Sequence, residues 1–90
     1  MRFLWVLSTL IIMANACGDN AYRCVNPYQS VSNDWEVTKA CILYVGLGPR
    51  SACWCYAWAE DYVTLRGDDQ IKKFGECCTE YGDGYYAREC

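Results

Sequence analysis

The stretch SACWCYAWA at residues 51–59 carries a clear strand signal, because small and large side chains alternate from Cys53 onward and two of the small ones are cysteines. Alternation with a period of two is typical of a β-strand, whose successive side chains point to opposite faces. Cys53 and Cys55 then share one face, and its small side chains suit close packing on a helix through disulfides. The opposite face carries three large aromatic side chains, at Trp54, Tyr56 and Trp58.

Those two cysteines belong to an even and dense set of eight in 90 residues. The set comprises Cys17, Cys24, Cys41, Cys53, Cys55, Cys77, Cys78 and Cys90. In a short chain such a set indicates a disulfide framework, which persists only outside the reducing cytosol. Neither Cys53 with Cys55 nor Cys77 with Cys78 can close on itself in relaxed geometry. We therefore predict four disulfides in which each close pair bridges to different places, and the remaining pairing stays open.

Residues 1–16 have the features of a secretory signal peptide. Arg2 supplies a positive start, residues 3–13 are mostly apolar, and small residues at Ala14 and Ala16 suit a signal peptidase. The apolar run is much shorter than the ~20 residues that span a bilayer, so we expect neither a membrane anchor nor direct membrane insertion. The prediction is a secreted, extracellular protein with one cysteine-rich domain at residues 17–90.

A helix is predicted over about residues 34–45, packed on a short antiparallel sheet. Asn33 can cap it, and Glu36 three positions later would complete a capping box. One helical face carries Val37, Ala40, Cys41, Tyr44 and Val45. Cys41 on this face is placed to join the helix to the sheet. The expected fold class is therefore a small disulfide-rich α+β fold.

Two further local patterns follow. Asp68 or Asp69 can cap a short helix through Phe74, with Gly75 ending it. The segment at residues 81–85 has two glycines between tyrosines, which predicts a hairpin turn between strand ends.

The composition excludes several kinds of chemistry. The chain has no histidine, so neither a Ser-His-Asp nor a Cys-His catalytic group can form. The cysteines lack the paired Cys-x2-Cys spacing of a zinc site. The net charge is −3 and there is no basic run, which argues against nucleic-acid binding. We expect no enzymatic activity, no metal, no cofactor and no nucleic-acid partner.

The strand resembles part of a known toxin family. Ala52-Cys53-Trp54-Cys55 is similar to the Ala-Cys-Trp-Cys strand of long-chain scorpion toxins that act on sodium channels. The similarity continues at residues 60–63 and at Gly75-Glu76-Cys77. In that family, side chains of this sheet and the following turn contact the channel. The resemblance thus implies target-binding residues at Trp54, Tyr56, Trp58 and Tyr62. The alternative is that these rings form a second layer of core.

A second resemblance covers three residues. Arg66-Gly67-Asp68 is similar to the Arg-Gly-Asp signal of disintegrin-type integrin ligands. The resemblance implies that the arginine pairs with an acidic groove and that the carboxylate completes a metal site on the integrin. If Asp68 instead caps the helix that follows, its carboxylate is engaged locally.

The sequence therefore favours a secreted venom-type toxin that binds an extracellular target. The first target class is an ion channel, and the toxin is expected to be a monomer. One alternative is an integrin-binding antagonist acting through Arg66, Gly67 and Asp68. The other is a secreted immune or developmental cysteine-rich module.

Overall fold

In the described part of the chain, two helices pack on a four-stranded antiparallel sheet, which confirms the small disulfide-rich α+β class. The structure is a computed structural model and describes residues 16–55 and 60–90. The strands are β1 (Ala21–Val25), β2 (Ala52–Cys53), β3 (Tyr62–Thr64) and β4 (Tyr86–Glu89). The helices are α1 (Val31–Tyr44) and α2 (Gly67–Glu80), with a 3-10 turn at Pro49–Ser51. The strand order is β2-β3-β1-β4, and every pairing is antiparallel.

Helix α1 is the predicted helix with a different start. It begins at Val31, where the Ser30 hydroxyl accepts a hydrogen bond from the backbone N–H of Asn33 at 3.3 Å. Serine is a preferred cap, so Asn33 lies inside the first turn and the predicted cap was wrong. The buried residues are Asp34, Val37, Thr38, Cys41 and Ile42. This face is rotated relative to the predicted one, and Tyr44 is exposed as a result.

Helix α2 is longer than the sequence indicated. It continues through Gly75 to Glu80, so the prediction that Gly75 ends it was wrong. An interior glycine costs about 1 kcal/mol relative to alanine. Burial of Phe74 offsets that cost, since full burial of a large apolar side chain contributes about 1.5–3 kcal/mol.

The turn after α2 joins a helix to a strand, so the predicted hairpin between two strands was also wrong. Gly84 in this turn has φ +92°, which favours glycine. A Cβ there would lie 3.0 Å from Oδ1 of the buried Asn26. The Asn26 amide donates to the carbonyl of Asp83 at 3.0 Å, and this bond holds the turn against the end of β1.

Four disulfides connect the elements, as predicted. Cys41–Cys77 joins α1 to α2, and Cys24–Cys78 joins β1 to α2. Cys17–Cys53 and Cys55–Cys90 fix the two ends of the described chain near β2. The prediction that each close pair bridges to different places is confirmed. Cys41, however, is bonded to the second helix rather than to the sheet.

The two faces of the sheet bury different residues. The face beneath the helices packs Cys24, Val63 and Leu65 with the buried side of α1 and α2. The opposite face holds a smaller cluster of Ala21, Cys53 and Tyr62.

Of the predicted small face, Cys53 and Cys55 are described, and they do not pack on a helix as predicted. Cys53 is paired with Tyr62, and opposed residues of an antiparallel pair share a face, so Cys53 lies away from the helices. Ala52 packs against the helix side instead. Trp54 forms one isolated bridge with Ala16, and residues 56–59 lie outside the described residues.

Candidate functional site

The four residues predicted to form an aromatic surface do not share one environment. Tyr62 is only 5% exposed and packs with Ala21 and Cys53, so it presents little surface to a partner. Trp54 is partly buried, and its carbonyl accepts the Cys17 N–H at 2.9 Å. Tyr56 and Trp58 lie outside the described residues.

The Arg66-Gly67-Asp68 segment is exposed at the junction of β3 and α2. Gly67 has φ +81° and turns the chain into the helix. The contact that fixes this start comes from Gln70, whose Oε1 accepts the Arg66 backbone N–H at 2.6 Å. Asp68 lies in the first helical turn, where the helix dipole favours a carboxylate. Gln70, rather than Asp68, therefore supplies the capping contact.

A charge cluster that the sequence did not reveal joins β1, α1 and the segment before β3. Nη1 of Arg23 lies 2.8 Å from Asp61, and Nη2 lies 3.4 Å from Asp34. The three side chains are 14%, 16% and 8% exposed, respectively. The guanidinium also lies 5.7 Å from the centre of the Tyr62 ring.

The second carboxylate oxygen of Asp34 accepts the backbone N–H of Asn26 at 3.2 Å. Thr38, one turn later, bonds to both backbone groups of Cys24 through its hydroxyl. Cys24 lies beyond the β1–β3 pairing, which involves Ala21 and Tyr22, so this side chain replaces a missing strand partner. Arg23 and Asp34 therefore form part of the attachment of α1 to β1. An isolated arginine in a short strand gives no sequence signal for such a role.

A concave surface lies in a groove between α1 and α2. Its volume is about 600 Å³, and its lining consists of Ala40, Leu43, Tyr44, Cys77, Glu80 and Tyr81. Leu43, Tyr44 and Tyr81 are 57%, 67% and 53% exposed. The sequence interpretation missed this groove because it assigned Tyr44 to the buried face of the helix. We call this surface the helix groove.

The sulfur atoms offer no reactive thiol. The Sγ atoms of Cys24, Cys41 and Cys78 lie within 4.8 Å of one another, a separation that would suit a metal ion. All eight cysteines are bridged, however, so no thiolate is left to bind a metal or attack a substrate. The cysteines of this protein therefore serve as crosslinks.

No family model, curated protein or solved structure matches the chain. Within residues 16–55 and 60–90, neither helix has the length and apolar character needed to cross a bilayer. The four disulfides fit a small secreted cysteine-rich protein.

The charge cluster predicts that replacing Arg23 lowers the stability of the protein more than replacing Arg88, its register partner on β4. Arg23→Gln removes the cation shared by Asp34 and Asp61, and we expect a loss of about 2–3 kcal/mol in the free energy of unfolding. Arg88→Gln is the matched control, because Arg88 is the exposed register partner of Arg23 and its replacement should change stability by less than ~0.5 kcal/mol. Urea unfolding with the disulfides intact measures both. Equal stability of the two variants would contradict a structural role for Arg23.

Proposed function

We propose that this protein is a secreted ligand of the toxin type, which binds the extracellular part of a membrane protein, with an ion channel as the first target class. The observation that carries the proposal is a covalently crosslinked scaffold that leaves large apolar side chains in solvent. Among the described residues these are Tyr28, Val31, Leu43, Tyr44, Tyr81 and Tyr86.

Rigidity favours this kind of function for a physical reason. Side chains whose positions are already fixed bind a partner's surface more tightly, since ordering a group on binding costs free energy. The bridges here connect residues 35 to 54 positions apart, so they restrain almost the whole described chain. Tyrosine adds a large contact area with few rotatable bonds, and it is frequent at binding hot spots.

The choice of an ion channel rests on the resemblance of residues 52–55 to the scorpion toxin strand. Of the four residues that this resemblance implies as contacts, Trp54 is partly accessible and Tyr62 is buried. The prediction for a direct contact therefore depends chiefly on Tyr56 and Trp58.

Trp58→Ala tests the channel proposal. In voltage clamp on cells expressing sodium channels, the wild-type protein should alter the current at micromolar concentration or below. Trp58→Ala should lose about 2 kcal/mol or more of affinity, which is the usual size of a hot spot. Lys72→Ala is the control, because Lys72 is an exposed residue of α2 outside the aromatic strand and outside this apolar set, so its replacement should leave the affinity unchanged.

Unchanged channel currents with folded wild-type protein would exclude sodium channels as the target. Equal potency of Trp58→Ala and the wild type would remove the aromatic strand from the contact surface.

Integrin binding is the second candidate, and the exposure of Arg66, Gly67 and Asp68 favours it. Asp68→Glu should abolish inhibition of integrin-mediated cell adhesion, because one added methylene displaces the carboxylate from the metal that it must reach. Asp69→Glu is a close control, since Asp69 is the next exposed residue of the same helical turn. Wild-type protein that leaves adhesion unchanged at micromolar concentration would exclude the integrin candidate.

A further inference from the structure

The helix groove combines three apolar side chains that are each more than half exposed. Leu43 and Tyr44 lie on α1, and Tyr81 directly follows α2. Single exposed apolar residues are ordinary, but several that line one concavity mark an interaction surface. Ala40 and the buried Cys77 complete the apolar part of the lining.

The walls of the helix groove are joined covalently. The disulfide holds the Cα atoms of Cys41 on α1 and Cys77 on α2 5.7 Å apart. A second link joins the end of α1 to the beginning of α2, where Nε2 of Gln70 donates a hydrogen bond to the carbonyl of Val45 at 3.4 Å. The helix groove is therefore preformed, and a ligand would bind without first ordering its walls.

Charge indicates what the helix groove would accept. Glu80 is the one charged residue of its lining, and it is also the last residue of α2. The carboxyl end of a helix carries partial negative charge, so a carboxylate is unfavourable there and a cation is favourable. Neither α1 nor α2 has a basic residue in its last turn, and residues from both last turns line the helix groove. The free protein thus leaves this negative potential without a compensating side chain from the lining.

We propose that the helix groove binds a segment of a partner protein that presents an arginine or lysine side chain between apolar side chains. The cation pairs with Glu80 and lies near the rings of Tyr44 and Tyr81, whose faces attract cations. The apolar neighbours of the cation contact Leu43 and Ala40. This inference rests on the proposed function, because it names the chemistry of the partner that a secreted ligand of this type would recognise.

A polyanionic occupant does not fit this surface. The whole chain has a net charge of −3 and the one charged residue of the lining is Glu80, so nucleic acid or an anionic membrane would be repelled. A protein segment provides both the cation and the apolar contacts at one place.

The test begins with a phage-displayed library of random peptides, selected on the folded protein with its disulfides intact. The enriched peptides should carry arginine or lysine next to apolar residues. Added to isotopically labelled protein, they should shift the backbone amide signals of Leu43, Cys77 and Tyr81. Glu80→Lys should weaken their binding about tenfold or more, which corresponds to ~1.4 kcal/mol. Glu76→Lys is the control, since Glu76 is an exposed glutamate of the same helix outside the lining and should retain the affinity.

A stability measurement separates binding from folding. Glu80→Gln removes the unfavourable charge at the helix end, so it should raise the melting temperature slightly while it weakens binding. A purely structural role for Glu80 would lower the melting temperature instead, and would contradict the inference.

Several other results would overturn the inference. Enriched peptides that are neutral or acidic, basic peptides that shift signals elsewhere, or an absence of enrichment would each do so. Dilution-dependent shifts of the same amides without peptide would identify a second copy of the chain as the occupant. The proposed function fails separately: if channel currents stay unchanged while basic peptides bind the helix groove, the channel target is wrong and the inference stands.

Discussion

Two adjacent cysteines on one helix determine how the layers of this protein are joined. Successive residues of an α-helix point about 100° apart, so Cys77 and Cys78 face different neighbours. Cys77 is bonded to α1, and Cys78 is bonded to the central strand β1. Helix α2 is thereby fixed to α1 and to the sheet through two adjacent residues. Phe74, one turn earlier on α2, is fully buried in the core formed by the two helices and the sheet.

These two disulfides matter because of the elements that they join, and not because of the lengths of the loops that they close. The sequence separations are 54 for Cys24–Cys78 and 36 for Cys41–Cys77. The difference in loop-closure free energy between such loops is only about 0.4 kcal/mol, so neither bridge dominates by entropy. The other two disulfides fix the ends of the described chain on the side of β2. Arg23 and Thr38 contribute noncovalent links between the sheet and α1.

The sequence was most informative about the disulfide bonds and least informative about which face of each strand or helix is buried. The cysteine number predicted the four bridges, and disulfide geometry correctly excluded bonds within the close pairs. The face of Cys53 was predicted wrongly, because alternation within one strand cannot reveal which side the helices cover. That choice is made by the pairing of Cys53 with Tyr62, a contact that the period of two does not encode.

The helix groove escaped prediction for a similar reason. The apolar residues of α1 occupy more than one face, and the periodicity fitted a stripe through Tyr44 as well as one through Thr38 and Ile42. The observed stripe includes a polar residue, Thr38, whose hydroxyl bonds to Cys24. Tertiary hydrogen bonding thus selected the buried face and left Tyr44 in solvent. The Arg66-Gly67-Asp68 segment was visible in the sequence, but its exposure depended on where α2 begins.

Disulfide mapping of the native protein can identify the partners of Cys77 and Cys78, provided that the method separates these adjacent cysteines. Partial reduction at acidic pH with stepwise labelling, followed by tandem mass spectrometry, can assign each thiol without exchange. We predict bonds between Cys24 and Cys78 and between Cys41 and Cys77, together with Cys17–Cys53 and Cys55–Cys90. Cys24 bonded to Cys77 and Cys41 bonded to Cys78 would contradict this prediction, because α2 would then have to rotate about its axis and bury a different face.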